Sequence, residues 1–303
     1  MNKIPVGQTI RFAYAFTFGE IGTIIGLIWI PTLINAVATF FVLRSYYGTL
    51  IDSFENSMPP NGSGLGWPLL LAFLTILLLA MVAVAVTQQA MGLRHGPAFA
   101  RVSFGSAEWR TFGGFFGLYM LFVLFAAAFA ILFGAARVAS SNAVQSNPAL
   151  TGLFAAVTPL ALLMGICAVI YLVVRLSFLL VPSVIDGGEF GLSRSWLLTK
   201  GNVGRIVVVA LATLAPILLI VGVAQLTLLG PGYFVPDLPN AGDAAVSMRG
   251  MVTKMRVMRE NMPILIGLSF VVSPLLYGLM FSASAFAYRS LSSAGVSAAH
   301  GRR

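Results

Sequence analysis

Of 303 residues, 58% are hydrophobic and only 9% are charged, with a mean hydropathy of +0.94. Ordinary soluble domains carry about 25% charged residues; eighteen basic and nine acidic side chains are too few to clothe a soluble surface of this size, and so apolar a chain does not stay disordered. A soluble enzyme and a disordered segment are thereby excluded, and a polytopic membrane protein remains.

The net charge of +9 sits mainly between apolar runs, which suits orientation and anionic headgroups better than nucleic acid. The single cysteine, Cys167, lies inside an apolar run and can form no intrachain disulfide; packing is its simplest role. The only histidines are His95 and His300, so no zinc-type spacing exists, and no metal or cofactor is expected.

The expected fold is all-α. Residues 1–20 read as an amphipathic interfacial helix. Charge-free runs long enough to cross about 30 Å of hydrocarbon at about 1.5 Å per residue then follow. They lie at 21–43, 67–87, 112–136, 159–181, 206–229 and 263–288, six spans in one membrane domain. The first is read as a retained span, not a cleaved signal. Trp67 and Pro68 open the second, Thr158-Pro159 opens the fourth, Pro182 closes it, and Gly230-Pro231 closes the fifth. Residues 230–262 read as an outer loop carrying a methionine stripe: Met248, Met251, Met255, Met258 and Met262, at helical spacing. The simplest reading is an amphipathic helix on the bundle or leaflet. An adaptable docking face and a Cu(I) site are sharper alternatives, the last weakened by the lack of His or Cys in this loop.

Six spans place both termini on one side. Eleven basic residues fall on that side, Lys3, Arg11 and Arg94 among them, against six on the other, including Arg44, Arg249 and Arg256. The positive-inside rule puts both termini in the cytoplasm. The odd spans begin near 20, 112 and 204, each after a mixed apolar and basic stretch (4–18, 99–110, 190–200). This suggests a threefold plan of interfacial helix and hairpin.

The segment 175–202 is the most patterned. Asp186-Gly187-Gly188-Glu189 has the form of a capping box, Leu192 and Trp196 share a helical face, and Gly201-Asn202 is a helix stop. Residues 186–202 therefore read as one capped amphipathic helix under the inner leaflet, with Arg194 and Lys200 reaching phosphates. Arg175-Leu176-Ser177-Phe178, then Pro182, Asp186-Gly187 and Arg194-Ser195-Trp196-Leu197-Leu198-Thr199-Lys200-Gly201, resembles a bacterial membrane superfamily. That superfamily includes the membrane domain of some glycerophosphoryl diester phosphodiesterases and uncharacterised six-span inner-membrane proteins. The resemblance implies a six-span bundle in a bacterial inner membrane. It implies no chemistry, because the soluble catalytic barrel of the fused members has no counterpart in this sequence.

Arg175 lies well inside the fourth span. An intramembrane arginine calls for a partner, and Glu20, Asp186 and Glu189 are near the same face. A structural ion pair is the favoured reading; a contact to lipid phosphate or an anionic substrate is the alternative. Asn35, Gln88, Gln89 and Gln225 suit interhelical hydrogen bonds. Pro31, Pro216 and Pro274 fall inside spans and can kink them. The pairs Gly22/Gly26, Gly113/Gly117 and Ala130/Gly134 would allow close helix approach. His95 reads as a surface residue, and no nucleophile elbow, P-loop or metalloprotease motif occurs. The leading expectation is a non-catalytic scaffold or accessory module engaging lipid or a membrane or envelope partner. A transporter or lipid-handling channel is the competing class, and a lipid phosphodiester hydrolase a third.

Overall fold

The computed structural model describes residues 3–56, 66–94, 104–146, 148–187, 191–234 and 244–300. Ten helices and no strands occur among them, and six helices are long and apolar enough to cross a membrane. In chain order these are α1 (Val6–Gly19), α2 (Ile21–Glu55), α3 (Gly66–Ala90), α4 (Ser106–Ser146) and α5 (Pro148–Ser177). Then come α6 (Leu180–Gly187), α7 (Leu192–Leu198), α8 (Val203–Leu229), α9 (Pro231–Phe234) and α10 (Ala244–His300).

The central element is α10, which contributes to all three buried clusters. It packs against α2, α3 and α8, and its side chains Leu279, Phe281, Ala283, Ala285 and Tyr288 are buried. Burial is concentrated at one end of the bundle. Ile24 to Pro31 of α2, Ala80 to Thr87 of α3, Ile206 of α8 and Leu279 to Leu291 of α10 all lie there. That end also carries Lys3, Arg11, Arg94, Arg194, Lys200, Arg205 and Arg289. Elsewhere α4, α5 and α8 present Leu124, Ile131, Leu163, Met164, Leu218 and Leu219 outward. So much exposed apolar surface is tenable only against lipid.

Several element ends differ from expectation. Residues 230–262 are not a loop bearing a separate helix: from Ala244 onward they form one helix with the sixth span, and Pro263 lies inside it. Likewise Pro159 lies inside α5, and α4 and α5 run beyond the hydrocarbon length, separated by a single residue. At about 1.5 Å per residue, α2 and α10 far exceed a bilayer. Their extensions lie side by side, burying Ile51 and Val252, with Arg256 paired to Glu55. Exposed apolar and charged residues thus form a two-helix stalk in place of a loop.

Helix α1 is not a free interfacial helix. It joins α2 with only Glu20 between them and packs on α8 and α10. Its inward stripe is Thr9, Ala13 and Thr17, small enough for close approach. A Cβ at Gly278 of α10 would lie 2.7 Å from the Thr17 side chain, so glycine is required there. Among the glycine pairs read from sequence, Gly22 and Gly117 have nothing within 4 Å of an added Cβ. Cys167 is exposed on α5, not packed inside the bundle. His95 and Glu189 lie outside the described residues.

Proline inside a span orphans the carbonyl four residues earlier. Pro216 would orphan Ala212, and Tyr14 Oη of α1 donates to the Ala212 carbonyl at 3.0 Å. Pro274 would orphan Phe270, and Ser273 Oγ donates to that carbonyl at 2.8 Å. The carbonyls freed by Pro216 and Pro274 are therefore satisfied without water.

Candidate functional site

The segment singled out in the sequence folds into a clasp on the end of α5. The chain breaks after Ser177, and α6 starts at Leu180 with Pro182 as its third residue, where a missing N–H is harmless. The expected single helix over 186–202 is two helices. Asp186 and Gly187 end α6 instead of capping a new start, and Gly191 (φ +70°) begins α7. A Cβ on Gly191 would lie 2.8 Å from Val184 Cγ2 and 3.0 Å from the Leu180 carbonyl, so the turn is specific to glycine. Gly201, at φ +77°, ends the segment as expected.

Helix α7 faces inward with hydroxyls. Ser195 Oγ and Thr199 Oγ1 donate to the Arg175 carbonyl at 3.0 and 3.3 Å, and both residues are buried. They cap a carbonyl that α5 leaves unpaired at its C-terminus. The single hydrogen of Thr199 Oγ1 is shared with the nearer Ser195 carbonyl at 2.8 Å, so Ser195 is the principal donor to Arg175. The other side of α7 carries Leu197, 68% exposed, and Lys200, also exposed.

Arg175 closes the clasp from the other direction. It is 7% exposed. Its Nη1 donates to Tyr171 Oη at 2.9 Å and its Nη2 to the Trp196 carbonyl at 2.8 Å. The guanidinium lies 3.4 Å from the Trp196 ring centroid, and its Nε has no partner. Neither Glu20 nor Asp186, two of the three expected partners, pairs with it among the described residues, and the third, Glu189, lies outside them. The physical reason is local. A cation in the last turn of α5 meets the negative end of that helix and a π face, which together stand in for an acid.

Asp186 is engaged elsewhere. Its Oδ2 accepts from Arg194 Nη2 at 2.8 Å and from Tyr288 Oη at 2.6 Å, tying α6 and α7 to α10. The Arg194–Asp186 pair is half-exposed, so its stabilisation is small. Asn202 Oδ1, buried, accepts from the Ile4 N–H at 3.1 Å, and Arg205 Nη1 donates to the Ile4 carbonyl at 2.9 Å. Asn202 thus anchors the N-terminal segment to the start of α8.

The methionine stripe runs from exposed to buried. Met248 and Met251 are each 46% exposed, Met255 and Met258 intermediate, and Met262 2%. It follows the α10 extension into its packing. No group of three or more His, Cys, Asp or Glu side chains able to hold a metal occurs among the described residues.

A second polar feature was largely missed in the sequence. A partly open cleft of about 240 Å³ lies between α2, α3 and α10. Asn35 was anticipated, and its Oδ1 accepts from Thr75 Oγ1 at 2.8 Å, an interhelical bond of the expected kind. Thr39, Ser269, Ser273 and Tyr277 also line it. The available signal was spacing: Thr32, Asn35 and Thr39 on one helix, and Ser269, Ser273 and Tyr277 on another, each form a helical stripe. No charged residue lines the cleft, and Arg175 is not part of it.

Comparison with protein-family models, curated proteins and solved structures gives no match. The superfamily resemblance therefore rests on residues 175–202 alone.

Proposed function

We propose that this chain is a non-catalytic module of a bacterial inner membrane, with both termini cytoplasmic, that presents α7 to lipid headgroups or to a membrane partner. It belongs on this reading with the six-span superfamily that residues 175–202 resemble. The observation that supports it is the orientation of α7. The hydroxyls of Ser195 and of Thr199, at its C-cap, turn inward, while Ser193, Leu197 and the following Lys200 face outward at the basic end of the bundle. An apolar side chain beside an ammonium suits the boundary between acyl chains and phosphates. On this reading Arg175 positions α7, since Nη1 donates to Tyr171 and Nη2 to the Trp196 carbonyl, with the guanidinium stacked on the Trp196 ring.

The test extracts the full chain into polymer nanodiscs with native lipid and identifies what co-purifies by mass spectrometry. Wild type is compared with Leu197→Gln and Lys200→Gln. Loss of a stoichiometric partner, or of an enriched anionic lipid, in either variant is expected. An identical co-purifying set in all three proteins would sink the proposal.

A further inference from the structure

We infer that the cleft between α2, α3 and α10 binds the head group of an uncharged lipid that presents ester, ketone or hydroxyl oxygens. This goes beyond the docking reading, which rests on α7 and stands or falls separately.

The argument starts from depth. Asn35 lies fourteen residues into α2 and Thr75 nine into α3, about 21 and 14 Å along their axes. At such depth a polar group without a protein partner is served only by what fills the cleft. Most polar side chains in the cleft are spoken for. Thr32, Ser269 and Ser273 donate to carbonyls of their own helices, and Thr75 donates to Asn35. Three groups remain: the Asn35 amide nitrogen, the Thr39 hydroxyl and the Tyr277 hydroxyl. None of them donates to a protein group among the described residues, and all three residues line the same space. Unpartnered hydroxyls also occur on Thr17, Thr87, Thr111 and Ser183, but those atoms are sealed within packing, where no ligand atom fits.

Three donor-bearing residues lining one opening call for acceptor oxygens. No charged side chain lines the cleft among the described residues, which disfavours a phosphate or carboxylate, since either would be buried without a countercharge. The volume equals about eight waters at about 30 Å³ each, enough for a compact head group and below the usual span of drug-sized sites. The remaining walls, Leu78, Leu79, Val82, Ile266 and Phe270, suit the first carbons of a lipid tail. Pro31 is a further wall residue, and its position inside α2 removes a backbone donor there.

The experiment uses the full chain in phosphatidylcholine nanodiscs with a diazirine-bearing, alkyne-tagged diacylglycerol. Parallel arms use the same tagged acyl chain on phosphatidic acid. The expected result is saturable crosslinking to peptides that contain lining residues of α2, α3 or α10. Unlabelled diacylglycerol or a long-chain quinone should compete, and a water-soluble hexose should not. Asn35→Leu and Tyr277→Phe should each lower site occupancy about five-fold, a change of about 1 kcal/mol; Tyr277→Phe should keep its melting temperature, whereas Asn35→Leu also loses the Thr75 bond and should melt lower. Thr39→Val, nearly isosteric, replaces Asn35→Leu if that variant does not assemble. Non-saturable labelling, labelling along the outward residues Ile34 and Val37 in wild type and variants alike, or equal labelling by phosphatidic acid would overturn the assignment. Competition by hexose would also overturn it, assigning the cleft to a soluble polyol.

Discussion

Tyr14→Phe deletes one hydroxyl, and its effect should depend on a residue two hundred positions away. Tyr14 Oη donates to the Ala212 carbonyl at 3.0 Å, which Pro216 deprives of its usual donor. A net hydrogen bond contributes about 0.5–1.5 kcal/mol, and stranding a buried carbonyl costs about 1–3 kcal/mol. Interhelical bonds measured inside membranes average about 0.6 and reach about 1.7 kcal/mol. The bond is part-buried, so we expect Tyr14→Phe to destabilise by about 1–1.5 kcal/mol, toward the upper end of that membrane range. Pro216→Ala restores an N–H that can bond to Ala212. In that background the same Tyr14→Phe change should cost under about 0.5 kcal/mol. The assay is reversible unfolding in bicelles by SDS titration, applied to all four members of the cycle. Equal costs of Tyr14→Phe in both backgrounds would refute the reasoning, since the hydroxyl would then not be serving the carbonyl freed by proline.

Ser195→Ala and Thr199→Val should each destabilise by about 1 kcal/mol or less, and the double variant by about 2–3 kcal/mol, because each hydroxyl covers the Arg175 carbonyl when the other is gone; the same titration reads this as positive coupling. Gly191→Ala should cost about 1–2 kcal/mol from its left-handed backbone, before the clash with Val184 is added. Gly22→Ala, in a helix with nothing within 4 Å, should raise stability by about 0.5–1 kcal/mol, as thermal shift will register. Met262→Ala should destabilise by about 2–3 kcal/mol, whereas Met248→Ala should stay within about 0.5 kcal/mol, since the first is buried and the second half-exposed.

The six spans were legible because charge-free runs of that length have one economical interpretation in a membrane. Their ends were not, for two reasons. Pro159 and Pro263 were read as helix starts by the rule for soluble helices, but spans accommodate proline in their interiors. The polar continuations of α2 and α10 looked like loop sequence because the partner that buries Ile51 and Val252 is a distant helix, invisible to local pattern. Within 175–202, Gly201 has the positive φ of a helix stop, as read, while the single helix read over 186–202 is two. Leu197 points outward, as an interfacial helix requires, and Ser195 and Thr199 turn inward to the end of α5, a use of hydroxyls that apolar periodicity does not report. The sequence offers Arg175 acids or phosphates as partners by charge, but no sign of the partners that α7 brings. The carbonyl of Trp196 and its ring become partners only once α7 folds back.

These particulars share one physical rule. Inside a bilayer a backbone carbonyl without an N–H partner must find another donor, and this chain supplies donors from side chains placed for the purpose. Tyr14 serves the carbonyl freed by Pro216, Ser273 the one freed by Pro274, and Ser195 with Thr199 the end of α5. Arg205 donates likewise to the Ile4 carbonyl, and Asn202 Oδ1 accepts from the Ile4 N–H. Polar residues in spans are therefore poor indicators of function until those serving the backbone are set aside. Arg175, the most conspicuous of them, belongs to this structural class. What distinguishes Asn35, Thr39 and Tyr277 is that they serve no carbonyl yet share an opening large enough for ligand atoms. A functional site in such a bundle is found by that subtraction, and it leads away from the one intramembrane charge toward an uncharged cleft.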